Sequence, residues 1–217
     1  MWGEPEGGRR LTIGELWQDD QGFAFGYGHE IDRAIEKGFR LLPEFPVRRE
    51  LDSPYRSVYL FATFAQRIPS PRRPDFEQIL ESWGVHAGDS HLEILARSGG
   101  VQMTDRIELA EYRPHDDQLE QPLVLRVAGM RHYQGAGHLE EGEAVLLQRE
   151  PHNSHESCAT AILTKGGEKV GYVPQQYSKL MARLLDAGVP LEARTLRRLT
   201  EPADGGRWLV QVRRQGR

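Results

Sequence analysis

The side chains best suited to chemistry lie in the second half of the 217-residue chain. Arg131-His132-Tyr133 sets an arginine beside two flat rings, just after an apolar run ending at Val127. A guanidinium grips phosphate while rings stack on bases, the combination that holds single-stranded nucleic acid with little sequence readout. Downstream, PHNSHESC (151–158) spaces His152, His155 and Cys158 three residues apart. Two imidazoles and a thiolate are good zinc ligands with a fourth position left open. The segment, however, follows a strand, is crowded with Pro, Asn and Ser, and leads into an apolar run. Cys158 therefore reads as a small buried residue at a strand start, and no metal is expected. Glu140, Glu141 and Glu143 suit a solvated turn better than a metal-dependent nuclease, whose acids pair with a lysine on adjoining strands. The chain has no Gly-x-Gly-x-x-Gly turn after a strand, no phosphate loop, no Gly-x-Ser-x-Gly elbow and no His-Glu-x-x-His pair. A non-enzymatic role without a cofactor is the expectation.

These residues must be positioned by short strands. Leu123–Val127, Ala144–Gln148 and Thr160–Lys165 have strand character, and Gly166-Gly167 turns the chain into Glu168–Val173. Pro174 then opens a helix whose Tyr177, Leu180, Met181, Leu184 and Leu185 form one apolar stripe, ended by Gly188. Two further strands, Leu191–Leu199 and Trp208–Arg213, are joined across Asp204-Gly205-Gly206. So many short strands with one late helix predict a small closed or half-closed barrel.

In the first half, two apolar runs around Asp19-Asp20-Gln21-Gly22 predict a hairpin. Three helices are expected after it. Ser57–Ile68 is apolar nearly all round and reads as a buried helix closed by Pro69. Pro74-Asp75 opens a second, with Phe76, Ile79, Leu80 and Trp83 on one face and Gly84 beyond its end. Asp89 or Ser90 caps a third carrying Leu92, Leu95 and Ala96, ended at Gly99-Gly100. The polar stretch Arg113–Pro122, bracketed by prolines and without apolar period, marks the domain boundary.

Composition agrees with a soluble globular chain: 38% hydrophobic and 28% charged residues, 23 glycines and 13 prolines. No apolar run reaches the roughly 20 residues that cross a bilayer, and one cysteine forms no disulfide framework, so a cytoplasmic protein without membrane contact is expected. Residues 1–118 hold 14 basic against 21 acidic side chains, net −7, whereas residues 119–217 hold 14 against 11, net +3. That asymmetry points to a polyanionic partner for the second half alone.

Taken in order, VAGMRHYQG (127–135), GEAVLLQREPHNSHESCATAIL (142–163), KVGYVP (169–174) and the helix to Gly188 resemble the HIRAN domain, found alone in bacteria and at the front of eukaryotic fork-remodelling helicases. The resemblance implies an OB-like β-barrel that, in the helicase case, captures the free 3′-hydroxyl end of single-stranded DNA. It assigns Arg131 and His132 to positions where the family contacts phosphate and base, and Tyr172 to a family ring position. Asn153, His155 and Glu156 fall where the helicase member has Asn, Tyr and Asp around the terminal nucleotide. Gln175 stands where that member has a lysine.

The first half is similar, over fewer motifs, to the amino-terminal segment of HipA-type toxin kinases. Tyr59-Leu60-Phe61, Gln66–Ser70, Arg73–Phe76 and Ser98–Asp105 carry that likeness. No kinase body fits in the remainder, so this half is expected to dock a protein partner or a second copy. The expected fold is therefore α+β: a mixed helical/β accessory domain over 1–118, then an OB-like HIRAN barrel with one or two helices over 119–217. The expected function is a nucleic-acid binding module gripping single-stranded DNA or frayed ends near the 3′ end. The alternative is a protein-interaction adaptor of a bacterial toxin–antitoxin or defence-type system.

Overall fold

The computed structural model describes residues 1–3, 10–102, 104–113, 118–199 and 207–216, and the chain forms two compact units, Met1–Glu111 and Tyr112–Arg217. The expected boundary residues Pro114–Asp117 and the Asp204-Gly205-Gly206 turn lie outside the described residues.

In the first unit, β1 (Trp2–Gly3) pairs with β2 (Arg10–Leu11), while β3 (Gly14–Asp19), β4 (Gly22–Tyr27) and β5 (Tyr55–Ser57) form a three-stranded antiparallel sheet. The hairpin lies where the sequence placed it: Asp19 faces Gly22, and the Asp19 carboxylate accepts from the Gln21 N–H at 3.0 Å. Helix α1 (Ile31–Glu36) follows β4. An aromatic core of Phe25, Tyr27, Phe45, Phe61 and Phe64 lies over the sheet, with Phe25 and Phe45 centroids 4.4 Å apart. Tyr27 is pinned within it, donating to the Phe45 carbonyl and accepting from the Leu42 N–H, both at 2.9 Å.

The helix expected over Ser57–Ile68 is replaced by two different structures. Ser57 ends β5, and the only helical stretch is the single turn α2 (Ala62–Ala65). Val58 and Tyr59 are 75% and 81% exposed, whereas Phe61 and Phe64 enter the core. The run is apolar all round because an exposed strand end adjoins a buried turn. Backbone pairing of β5 with β4, from Tyr55–Phe25 to Ser57–Phe23, outweighs local helix preference. The other two helices form as expected: α3 (Phe76–Ser82) follows Asp75, and α4 (His91–Ser98) is capped by Ser90, whose Oγ accepts from the Glu93 N–H at 3.1 Å. Arg67, with a side chain 1% exposed, ties α2 to the segment after α4. It donates to Asp105 at 2.5 Å and to the Gly100 carbonyl at 2.7 Å.

The second unit contains β6 (Leu123–Arg126), the short 3-10 turns η1 (Met130–His132) and η2 (Gly135–His138), β7 (Ala144–Arg149), β8 (Thr160–Leu163), β9 (Lys169–Tyr172), α5 (Gln175–Asp186), β10 (Leu191–Leu199) and β11 (Arg207–Arg214). The strands form one antiparallel sheet in the order β6-β11-β10-β7-β8-β9. The sheet curls until its two edges meet. Ala128, just past β6, and Tyr172, at the end of β9, exchange two backbone hydrogen bonds of 2.9 Å. Leu123, Leu125, Val145, Ile162, Val170, Val210 and Val212 fill the interior. Helix α5 starts after Pro174, packs on β8 and buries Tyr177, Leu180, Met181 and Leu184, with Gly188 left-handed beyond its end.

Candidate nucleic-acid interface

The seam between β6 and β9 positions the candidate residues. A Cβ on Gly171 would lie 2.4 Å from the Ala128 carbonyl oxygen and 2.7 Å from Val127 Cγ1, so a glycine is what lets the two edges approach. Immediately after the seam Gly129, with φ +72°, turns the chain into η1. Arg131 and His132 are exposed there, the Arg131 Nε donating to His132 Nε2 at 3.1 Å. The chain then runs back along β9. Gly135 is close enough that a Cβ would meet the Lys169 carbonyl at 2.8 Å. This path sets the Tyr133 ring edge-on to Tyr172, with centroids 5.9 Å apart.

Between the rings and the β7–β8 loop lies a polar hub centred on Glu150. Lys169 Nζ donates to Glu150 Oε1 at 2.5 Å and to the Tyr172 hydroxyl at 2.9 Å. The Tyr172 hydroxyl donates to Glu150 Oε2 at 2.8 Å, and Asn153 Nδ2 donates to the same oxygen at 3.0 Å. The lysine ammonium lies 4.8 Å from the Tyr172 ring centroid and 5.5 Å from that of Tyr133, within cation–π range. Partial burial opposes ionisation of Glu150, but hydrogen bonds from Lys169, Asn153 and Tyr172 win and hold its carboxyl below the usual range. The same Glu150 contact, then that of Tyr172, makes Lys169 hold its proton more tightly than a free lysine. Burial raises the Tyr172 hydroxyl, with the Lys169 contact acting the other way.

Asn153 couples this hub to the loop after it. Its Oδ1 accepts from the backbone N–H of His155 at 3.0 Å and of Glu156 at 3.3 Å, so both ends of its amide are engaged within the protein. Glu156 Oε1 in turn accepts from the Cys158 N–H at 3.1 Å. Arg149 fastens the loop from below, donating to both carboxylate oxygens of Asp186 on α5 and, at 2.8 Å, to the Ala159 carbonyl.

The structure thus gathers Tyr133, Asn153 and Tyr172 in one network and sets Arg131 and His132 on the adjoining turn. His155 is exposed and joins through its backbone N–H, while Glu156 is half-buried on the same loop. Cys158 is half-buried in the turn ahead of β8 and not in the core, because Ala159 and Thr160 take the buried positions there. Among the described residues no three His, Cys, Asp or Glu side chains gather as a metal site, and no helix is long and apolar enough to cross a membrane. Glu150, Lys169 and Arg149 carry no periodic signal that marks them in the sequence. Glu150 and Lys169 become neighbours through the register that sets Arg149 opposite Thr160 and Ala161 opposite Tyr172.

A curled antiparallel sheet that closes at one seam and gathers rings, a cation and carboxylates beside it defines a small barrel-like β domain, with α5 its one α-helix among the described residues. Residues 122–203 match the family model of the HIRAN domain, and the second unit contains that domain. The chain is 30% identical over 108 residues to the helicase-like transcription factor of Oryctolagus cuniculus, covering 48% of this chain and 10% of that protein. It thus spans a tenth of that relative's length. Among solved structures, the HIRAN domain of human HLTF is 22% identical with a TM-score of 0.37, covering 42% of this chain and 74% of that one. The HLTF HIRAN domain in its DNA-bound conformation is likewise 22% identical, with a TM-score of 0.35 and coverages of 44% and 75%.

Proposed function

We propose that the second unit is a non-enzymatic module that grips single-stranded DNA near a 3′ end. One observation carries this reading: the seam at Ala128–Tyr172 sets the exposed Arg131-His132 turn directly beside the Tyr133–Tyr172 ring pair. Arg131 supplies a phosphate contact, and His132 and the outer faces of the rings supply stacking surface. The edge-on rings leave no slot for a base between them, so bases stack against the outside of the pair. The carboxylates of the 150–156 loop supply acceptors for a terminal hydroxyl. The DNA-bound conformation of the HLTF HIRAN domain supports the choice of ligand.

Fluorescence anisotropy with matched oligonucleotides tests this. Strands ending in a 3′-hydroxyl should bind more tightly than the same strands ending in a 3′-phosphate, and affinity should fall steeply as salt rises. Equal affinity for hydroxyl-ended, phosphate-ended and circular strands refutes the end preference. Salt-independent binding refutes the phosphate grip and favours a protein ligand.

A further inference from the structure

The Glu150–Lys169 pair joins residues 19 apart in the sequence, and its place in the network is not that of an ordinary surface ion pair. Both side chains are about a quarter exposed, 26% and 28%. The pair lies against the two rings that the proposed strand end must approach. The lysine charge is met at 2.5 Å by Glu150, so it adds little net positive charge to this side of the site. Glu156 on the same loop adds a further carboxylate. The site therefore has two characters: cationic on η1 through Arg131, and neutral to negative where the loop meets Tyr172.

Resting on the strand-end reading above, we propose that Glu150, balanced by Lys169, is the specificity-determining residue that rejects a phosphorylated strand end. A 3′-phosphate carries close to two negative charges near neutral pH, whereas a 3′-hydroxyl carries none and donates a hydrogen bond. The Glu150 carboxylate repels the first and tolerates the second. Its Oε2 already accepts from Tyr172 and Asn153, but Oε1 keeps acceptor capacity beside the Lys169 contact. Lys169 works in the opposite sense, drawing phosphate toward the rings to the extent that Glu150 leaves its charge uncompensated. The two residues thus set the end preference by difference.

The opposed signs make the test. In the full chain, Glu150→Gln keeps an acceptor oxygen and the side-chain shape while removing the charge. It should raise affinity for 3′-phosphate strands about tenfold relative to 3′-hydroxyl strands, the scale of removing one charge close to a dianion at high effective dielectric. Lys169→Gln removes the positive charge and should shift the ratio the other way, widening the preference for hydroxyl ends. A purely bracing role predicts that both variants weaken both ligands in parallel, with the ratio unchanged. Parallel losses, or shifts of the same sign, overturn the proposal even if one variant is partly destabilised, because the readout is a ratio within each variant. Wild-type discrimination that persists unchanged in Glu150→Gln removes Glu150 and leaves the strand-end reading standing. A wild-type ratio of one removes both.

Discussion

Gly171→Ala tests whether the seam builds the interface. The added Cβ would lie 2.4 Å from the Ala128 carbonyl oxygen, a backbone atom that no rotamer change can move aside, and 2.7 Å from Val127 Cγ1. Relief requires the two edges to separate by several tenths of an ångström, at the place where Ala128 and Tyr172 exchange hydrogen bonds of 2.9 Å in both directions. Loss of two net backbone hydrogen bonds costs about 1–3 kcal/mol. Overpacking against Val127 adds about 1–3 kcal/mol, and the lower unfolded-state entropy of alanine returns about 0.5–1 kcal/mol. The expected loss is therefore about 1–5 kcal/mol for the second unit, with the first unit unaffected. Hydrogen exchange on the full chain localises it: the Ala128 and Tyr172 amides should lose protection before those of the β10–β11 ladder. Because η1 hangs from the seam, affinity for single-stranded DNA should fall at least tenfold at temperatures where the variant is still folded. A variant within about 0.5 kcal/mol of wild type, with both amides protected and DNA binding intact, would refute the reasoning.

Arg131→Ala should weaken single-stranded DNA binding by about 1–3 kcal/mol and reduce its salt dependence, and a folded Arg131→Ala, His132→Ala double variant that binds like wild type would remove η1 from the interface. Asp105→Ala strands the buried Arg67 guanidinium and should destabilise the first unit by about 3–5 kcal/mol, leaving DNA binding by the second unit unchanged; a denaturation midpoint close to wild type would show that the Thr63 and Gly100 carbonyls suffice. Glu150 has a carboxyl held below its ordinary value, so its stabilisation is complete above about pH 4.5 and is lost as the pH falls through the lower folded-state value. The stability gap between wild type and Glu150→Gln, measured by urea denaturation, should therefore be present at neutral pH and close under acid; a gap constant across that range contradicts the assignment. Arg149→Met should release the 150–159 loop, seen as faster exchange of the Ala159 and Asn153 amides with β10 and β11 unchanged.

Local pattern made several elements legible. Asp19-Asp20-Gln21-Gly22 specifies its hairpin because the turn chemistry and the flanking apolar alternation act over neighbouring residues. The α5 stripe and Gly188 are equally local, and they locate a helix that buries Tyr177, Leu180, Met181 and Leu184. The ordered blocks from Val127 to Pro174 marked the HIRAN domain, and Arg131-His132-Tyr133 stood out because an arginine beside two rings is chemically unusual wherever it occurs.

Other features depend on which strand lies beside which. Ser57–Ile68 has the composition of a buried helix, yet β4 claims its first residue for a sheet and the aromatic core claims Phe61 and Phe64, contacts made with residues far away in the sequence. The hydrogen bonds of Asn153 are equally non-local in part: its amide donates to Glu150 and Tyr172 and accepts from its own loop. Glu150 and Lys169 are 19 residues apart and unremarkable in isolation; the β7–β8–β9 register brings them within 2.5 Å and the seam adds Tyr133 to Tyr172. Propensity and periodicity act over a few residues and can be read from the chain. The charge balance beside the Tyr133–Tyr172 rings is a sum over side chains from the ends of β7 and β9, a loop and a 3-10 turn, and only closure of the sheet at Gly171 assembles that sum.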